Sequence, residues 1–590
     1  MSAAVRVTLC GWKRSLWAAR DDWAAAAVLA IAGLVLFLPA IRYQFTYFDD
    51  RVLIVKDAAF ISDWRNLPSV LSSDVFRAGT VAYRPGLIIS FMADALWGGI
   101  AAWAFHLSNI LIHIAATCLL LLLLRMTGSG RSLALALAGL FLVHPLQAQA
   151  VAWIPGRNDS LLGLFVLLAL AAYLRYLRGG GAGWMILHLA AVAAALLVKE
   201  AGIAAPAVCG LLLMSEQDGG RRRVVIASVM GWAVIGLSWF IARNSVIAVN
   251  PEVHPMIFNT LRENVAGLTG YIGKAVIPVR LSVLPVPRTA DAIHGLAGLA
   301  ILFLLLAGGV RRPAYAACGA ALAVLFMAPH LMRGTSYPNF LEHRMYVPLA
   351  GICLLVAQAR LWERLGRIRP AGALAATVVI GLFAARTGQR LPVFADSFSL
   401  LNDAIEAAPR IALPYSYLGS VYIDRGEYDV AEVYLDRAMR LEPFNKDHYQ
   451  NLGIVYQSTG RPALAAGAFE RGIALAPGSA GLRYCLGLSY QENGQLRQAA
   501  HEYRNALLCR PGYVEAELNL GMVLHLQGDL AGAARHYRRV IQLAPRLPDA
   551  WRNLAVVYQQ RGQPDSAASC ARIAESMPPR SSGVTKALIR

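Results

Sequence analysis

The chain has 590 residues, with 55 Lys and Arg against 36 Asp and Glu, a net charge of +19, and 57% hydrophobic but only 15% charged residues. Ordinary soluble domains carry about 45–50% apolar and about 25% charged residues, so this composition excludes a purely soluble enzyme and a disordered chain. Eight Cys in this length are too sparse for a disulfide scaffold.

The chain divides near residue 400. Before it, apolar runs long enough for a helix to cross a bilayer recur at 23–41, 105–124, 132–150, 160–174, 184–198, 201–214, 224–242, 292–310, 314–331, 345–359 and 371–386. In lipid a helix satisfies its own backbone, so these read as about 11 spans. The segment 83–98 is less apolar and reads as a re-entrant or interfacial helix. No small-residue cleavage site follows the first run, which speaks against a cleavable signal peptide. Lys and Arg in short loops mark the cytoplasmic side. With Lys13, Arg14 and Arg20 inside, the clusters Arg125/Arg131, Arg175/Arg178, Arg221–Arg223, Arg311/Arg312 and Arg360/Arg364/Arg367/Arg369 all fall inside too. The outer side then receives the loops 42–104, 152–159, 243–290 and 333–344, the Lys199-Glu200 junction and, because the count is odd, the C-terminal third. The basic clusters are split among short loops and form no continuous stripe, so nucleic acid is not an expected partner.

The outer loops hold the residues suited to chemistry. Asp49 and Asp50 open the first loop, and adjacent carboxylates beside a membrane helix suit a general base or a divalent metal, Mg or Mn, next to a phosphate. The plainer alternative is a solvated helix end. Arg84, in Tyr83-Arg84-Pro85, suits an anionic lipid phosphate. His144 begins the next outer turn and Arg157 and Asp159 end it. His144 also reads as a packing histidine, and the Arg157/Asp159 pair as a local ion pair. Lys199 and Glu200 lie between two apolar runs, where ionisable residues are functional candidates by default. Glu342, His343 and Arg344 precede the tenth run. No CxxC, HExxH, GxxxxGK[ST] or GxGxxG pattern occurs, so the sequence offers no zinc or nucleotide site.

The C-terminal third repeats every 34 residues. Pro409, Pro443, Pro477, Pro511, Pro545 and Pro579 share that step, as do Gly419, Gly453, Gly487 and Gly521, with Ala555 in the fifth place. The pattern Leu418-Gly419, Tyr422, Gly426, Tyr428, Ala431, Ala438, Pro443 resembles the tetratricopeptide repeat (TPR), a pair of antiparallel helices. Pro lacks an N–H and ends the second helix. About five units span 410–579 and stack into a solenoid. The expected organisation is thus all-α, with a multi-span domain over 1–400 and a TPR domain over 401–590. A disulfide among Cys485, Cys509 and Cys570 is compatible with an outer location.

Together these motifs resemble the transmembrane-and-TPR O-mannosyltransferases (TMTC). Phe48-Asp49-Asp50, His144-Pro145, Val151-Ala152-Trp153, Gly156-Arg157-Asn158-Asp159, Lys199-Glu200 and Glu342-His343-Arg344-Met345-Tyr346 recur there in the same order. Tyr271-Ile272-Gly273-Lys274 to Pro278 and Leu281-Ser282, with Asn250-Pro251 at its start, is similar to that family's central loop. The resemblance implies a polytopic GT-C glycosyltransferase that takes sugar from a polyprenyl-phosphate donor and transfers it to a Ser or Thr hydroxyl of an exported protein. It implies Asp49 as general base with Asp50 supporting it or a metal. Arg157, Lys199, Arg344 and Arg84 are then donor-phosphate ligands, and His144, Asp159, Glu200, Glu342 and His343 are secondary residues. The TPR groove would present the acceptor. The sequence departs from the family at Gln147 and Gln149, where His and Glu are usual. Its Ala- and Arg-rich usage points to a bacterial inner membrane with a periplasmic array, which leaves the sugar open between mannose and another hexose. Two other readings are a transferase acting on a lipid-linked glycan and a non-enzymatic membrane scaffold for a secretion or pilus machine.

Overall fold

The computed structural model describes residues 20–47, 49–76, 82–215, 221–247, 268–284, 289–331, 341–364 and 370–577. Lys13, Arg14, Phe48, Asn250-Pro251, Arg367, Arg369 and Pro579 lie outside them. The chain separates into two compact units, 1–409 and 410–590. Among the described residues there is no strand, only one isolated bridge between Val310 and Ala359.

Each of the eleven apolar runs contains a helix in the first unit. The run 132–150 is not one helix, however. It is Arg131–Val143 followed by Gln147–Ala152, broken where His144 turns extended ahead of Pro145. Among the described residues, five helices are long and apolar enough to cross a membrane: Asp22–Arg42, Ala102–Met126, Ile154–Leu177, Arg222–Val246 and Gly372–Phe394. The other apolar helices are shorter, among them Pro85–Gly98, Arg131–Val143, Ala182–Val198 and Pro313–Pro329.

The helices Ala102–Met126 and Ile154–Leu177 are buried over most of their length, whereas Arg222–Val246 and Gly372–Phe394 have few buried residues. Leu237, Phe240, Ile241, Leu374, Val378 and Leu382 stand on the surface of the exposed pair. Soluble monomers rarely expose continuous apolar surface of that extent, so these faces meet lipid and the chain is an integral membrane protein.

In the second unit five helix pairs follow one another from Ala412–Arg425 with Tyr428–Leu441 to Pro548–Gln560 with Pro564–Glu575. Gly426, Gly460, Gly494, Gly528 and Gly562, again 34 apart, make the turns with φ between 69° and 84°, a backbone region open to glycine at little steric cost. The inner glycines have a different role. A Cβ on Gly419, Gly453, Gly487 or Gly521 would come 2.5 to 2.8 Å from Leu435, Phe469, Tyr503 or Tyr537, each sixteen residues on. In the fifth unit the corresponding residue is Ala571, and there Ala555 replaces the glycine. Cys485, Cys509 and Cys570 are all free thiols, so the disulfide the sequence allowed is not formed.

Candidate active site

The site residues come from the same ends of several helices. Asp49 and Asp50 follow the first long helix, Arg84 precedes Pro85–Gly98, and Asp159 lies in the first turn of Arg157–Leu177. Lys199 ends Ala182–Val198, and His343 and Arg344 lead into Tyr346–Val356. Close packing makes the convergence possible: a Cβ on Gly86 would meet the Leu197 carbonyl carbon at 3.0 Å, so that glycine lets Arg84 approach the Lys199 turn.

Two ion pairs organise the centre. Lys199 Nζ donates to both Asp159 oxygens at 2.7 and 2.9 Å, with both side chains buried. Arg84 donates through Nε and Nη2 to Glu200 at 3.3 Å. With its amide oriented to satisfy both neighbours, Asn158 accepts from Arg84 Nη1 at 2.8 Å and donates to the Val198 carbonyl at 3.0 Å. The charges of Arg84 and Arg344 both act on Lys199, and Arg84 acts on Asp49. Asp49, Arg84, Asp159, Lys199, Glu200, His343 and Arg344 therefore form one electrostatic cluster. His343 Nε2 lies 3.8 Å from Asp159. Burial pushes its imidazole down to about 3 despite the opposing pull of Asp159, with Arg344, Lys199 and Arg84 adding to the depression, so the ring is neutral at pH 7.

The two aspartates differ. Asp50 is buried and its Oδ2 accepts from the Thr46 N–H at 2.7 Å and the Thr46 hydroxyl at 2.9 Å. Trp153 Nε1 donates to the same hydroxyl at 3.2 Å, and the Trp153 ring packs against His343 with centroids 5.4 Å apart. Burial pushes the Asp50 carboxyl up to about 7, against the Thr46 hydrogen bonds and helped by the Asp49 charge. Asp49 is partly exposed; burial raises its carboxyl and Arg84 pulls it back. Asp50 thus supports and Asp49 faces the cluster. Among the described residues no group of three His, Cys, Asp or Glu gathers to hold a metal. Asp50 Oδ2 is engaged by Thr46, whereas its Oδ1 is buried without a hydrogen-bond partner.

Three expected site residues have structural roles instead. Arg157, assigned to the donor phosphate, is fully buried, and its guanidinium is used up by Asp94 at 2.5 Å, Asn109 Oδ1 at 2.5 Å, Ser90 and the Phe105 carbonyl. His144 accepts from Leu146 N–H through Nδ1 at 3.2 Å. Nε2 therefore carries the proton and donates to the Ala275 carbonyl at 3.1 Å, so the residue ties the helix break to the helix over 268–276. Glu342 accepts from the Ser282 N–H at 2.7 Å and from Lys274 at 3.4 Å, with Arg390 at 3.9 Å. Gln149, one of the two departures from the family pattern, holds this region too: it accepts from His343 N–H at 3.2 Å and donates to the Val283 carbonyl at 3.3 Å.

Sequence reasoning missed Asp94, Asn109, Arg390 and Asp403. Asp94 and Asn109 are polar interruptions in apolar helices, a signal that was available. Arg390 joins Asp403 and Glu342 and stands at a helix end, where nothing local marked it.

Fold and site together define a polytopic helical membrane protein carrying a TPR array. The tetratricopeptide-repeat family model matches 418–480 and 484–548, and a second tetratricopeptide-repeat model matches 524–574. The chain is similar to the protein O-mannosyl-transferases Tmtc1 of Drosophila melanogaster (31% identity over 36% of this chain and 25% of the relative) and Tmtc2 of the same fly (32%, over 32% and 22%). It is also similar to TMTC1 of Homo sapiens (31%, over 31% and 23%). The resemblance read from the motifs thus holds, although the chain spans only about a quarter of the length of these relatives. Among solved structures, MamA is similar at 23% identity and a TM-score of 0.26, covering 27% of this chain and 92% of its own. YrrB, titled a TPR protein with an unusual peptide-binding site, is similar at 24% and 0.27, covering 30% and 90%.

Proposed function

We propose that the protein is a membrane glycosyltransferase that moves a sugar from a polyprenyl-phosphate donor to a Ser or Thr hydroxyl of an exported protein. The observation that carries this reading is the gathering of Asp49 with Arg84, Lys199 and Arg344 at one end of the helices. A phosphate attached to lipid needs lasting cationic partners, and Arg supplies them in bidentate geometry. A carboxylate beside them can take the proton of an incoming hydroxyl.

In this reaction the acceptor oxygen bonds to the sugar's anomeric carbon as the bond from that carbon to the phosphate oxygen breaks. The hydroxyl proton passes to Asp49. Arg84 and Arg344 neutralise the departing polyprenyl phosphate, and Asp159 fixes Lys199 beside them. Asp50, held by Thr46, keeps its neighbour in position. The setting that fits is a bacterial cytoplasmic membrane with the N-terminus inside and the array in the periplasm, where the TPRs hold the acceptor polypeptide.

The test is transfer by purified full-length protein from a polyprenyl-phospho-hexose to a Ser/Thr-containing polypeptide. Asp49→Asn should lower the rate by about 10²–10⁴-fold, the range of a lost general base. Undiminished turnover in that variant rejects the assignment.

A further inference from the structure

Behind the Glu342–Met345 turn, two carboxylates and two cations alternate. Arg390, at the end of Pro370–Arg390, donates through Nη1 and Nη2 to Asp403 of Ser397–Ala407, and its Nη2 lies 3.9 Å from Glu342 Oε2. Lys274 Nζ stands 3.4 Å from the other oxygen of Glu342. Glu342, Lys274 and Arg390 are all buried. The two carboxylates also take consecutive backbone donors: Ser282 N–H goes to Glu342 at 2.7 Å and Val283 N–H to Asp403 at 3.0 Å. The Val283 carbonyl in turn accepts from Gln149, whose Oε1 accepts from His343 N–H. Residues 282–283 and 342–343 are thus stitched together at two points, and Arg390 is the group that joins the two carboxylates. A guanidinium fork serves two carboxylates at once, which a point ammonium charge does not do in fixed geometry.

We infer that Arg390 is a positioning residue for donor binding: through Glu342 it fixes the direction in which Arg344 leaves the turn. The inference rests on the polyprenyl-phosphate reading above, in which Arg344 neutralises the departing phosphate. The turn is a 3₁₀ helix, with about 3.0 residues per turn, so Glu342 and Arg344 leave it about a third of a turn apart. Glu342 reaches Arg390 and Lys274 on one side, while the Arg344 charge acts on Lys199 and Asp159 on the other. Anchoring the first side chain therefore sets the second. Arg390 itself is buried with its fork committed, so it acts through Glu342 and not on the donor.

Arg390→Met alone would strand two carboxylates, so the variant to compare is Arg390→Met/Asp403→Asn, which removes one charge of each sign and keeps an acceptor for Val283. Binding of decaprenyl phosphate to full-length protein in detergent is measured for the wild type, this variant, Arg344→Met and all three changes together. Arg390→Met/Asp403→Asn should weaken binding about tenfold, as for a lost charged hydrogen bond, and Arg344→Met by at least as much. In the Arg344→Met background the Arg390 and Asp403 changes should add nothing, because a residue that acts through another is not additive with it. Losses that multiply, an undiminished affinity in either variant, or an equal loss in the folded fraction of Arg157→Met overturns the inference. Amide exchange at His343 and Arg344 reads the turn without any donor. It should quicken in Arg390→Met/Asp403→Asn, and unchanged exchange overturns the inference as well. If the wild type binds no decaprenyl phosphate, the donor reading fails, and the exchange measurement alone decides whether Arg390 orders the turn.

Discussion

Lys199 and Asp159 are 40 residues apart in the chain and 2.7 Å apart in the fold, both buried. Each is what makes the other tolerable where it sits. The pair also decides what Lys199 offers a ligand, because two of its contacts already go to one carboxylate while the like charges of Arg84 and Arg344 repel it.

Removing one partner should therefore be worse than removing both. Lys199→Met leaves Asp159 as an uncompensated buried charge and should destabilise the protein by about 3–5 kcal/mol. The double variant Lys199→Met/Asp159→Leu should recover most of that loss. Thermal unfolding in detergent measures both, and additive losses would show that the two residues do not act as a pair.

Asp50 sets a pH dependence. Its carboxyl is raised from 3.8 to about 7, so between those values the folded protein binds a proton that the unfolded chain has lost. Its stabilising share is complete below about pH 4 and is lost as the pH rises through 7, with at most about 4 kcal/mol involved. Asp50→Asn should flatten that slope of stability between pH 4 and 7, and an unchanged slope would assign it to another group.

Arg157 should behave as a strut. Arg157→Met strands Asp94 and opens the Asn109 contact, so the variant should lose stability by about 3–5 kcal/mol. In the folded fraction, binding of decaprenyl phosphate should be unaltered. A selective loss of lipid affinity with stability intact would return Arg157 to the phosphate site.

The array offers a packing test. Gly487→Ala drives a methyl to 2.7 Å from the Tyr503 ring, and overpacking of this kind costs about 1–3 kcal/mol. In a Tyr503→Ala background the same change should cost almost nothing. Equal costs in both backgrounds, measured by denaturant unfolding, would mean the glycine serves the backbone and not the neighbouring ring.

The sequence carried the helices of both halves because apolar length and a 34-residue period are local signals. It also singled out residues that the fold brings together: Asp49, Arg84, Asp159, Lys199, Glu200, His343 and Arg344 converge. What it did not carry was how each side chain is spent. Arg157 and Arg344 look alike on the page, yet only the fold brings Asp94 and Asn109 to Arg157. The His144-Pro145 break was visible as a motif, but its tie to the Ala275 carbonyl spans 131 residues.

The fifth helix pair has Ala555 and Ala571 where its predecessors set a glycine against leucine, phenylalanine or tyrosine. Each unit of a solenoid is braced by its neighbours, so the pair that lacks the large side chain against a small one has least of this contact to hold it. Amide exchange should quicken along the last two helices before the rest respond. A protease added under native conditions should first trim the chain towards Pro545, leaving a stub of four units that still folds.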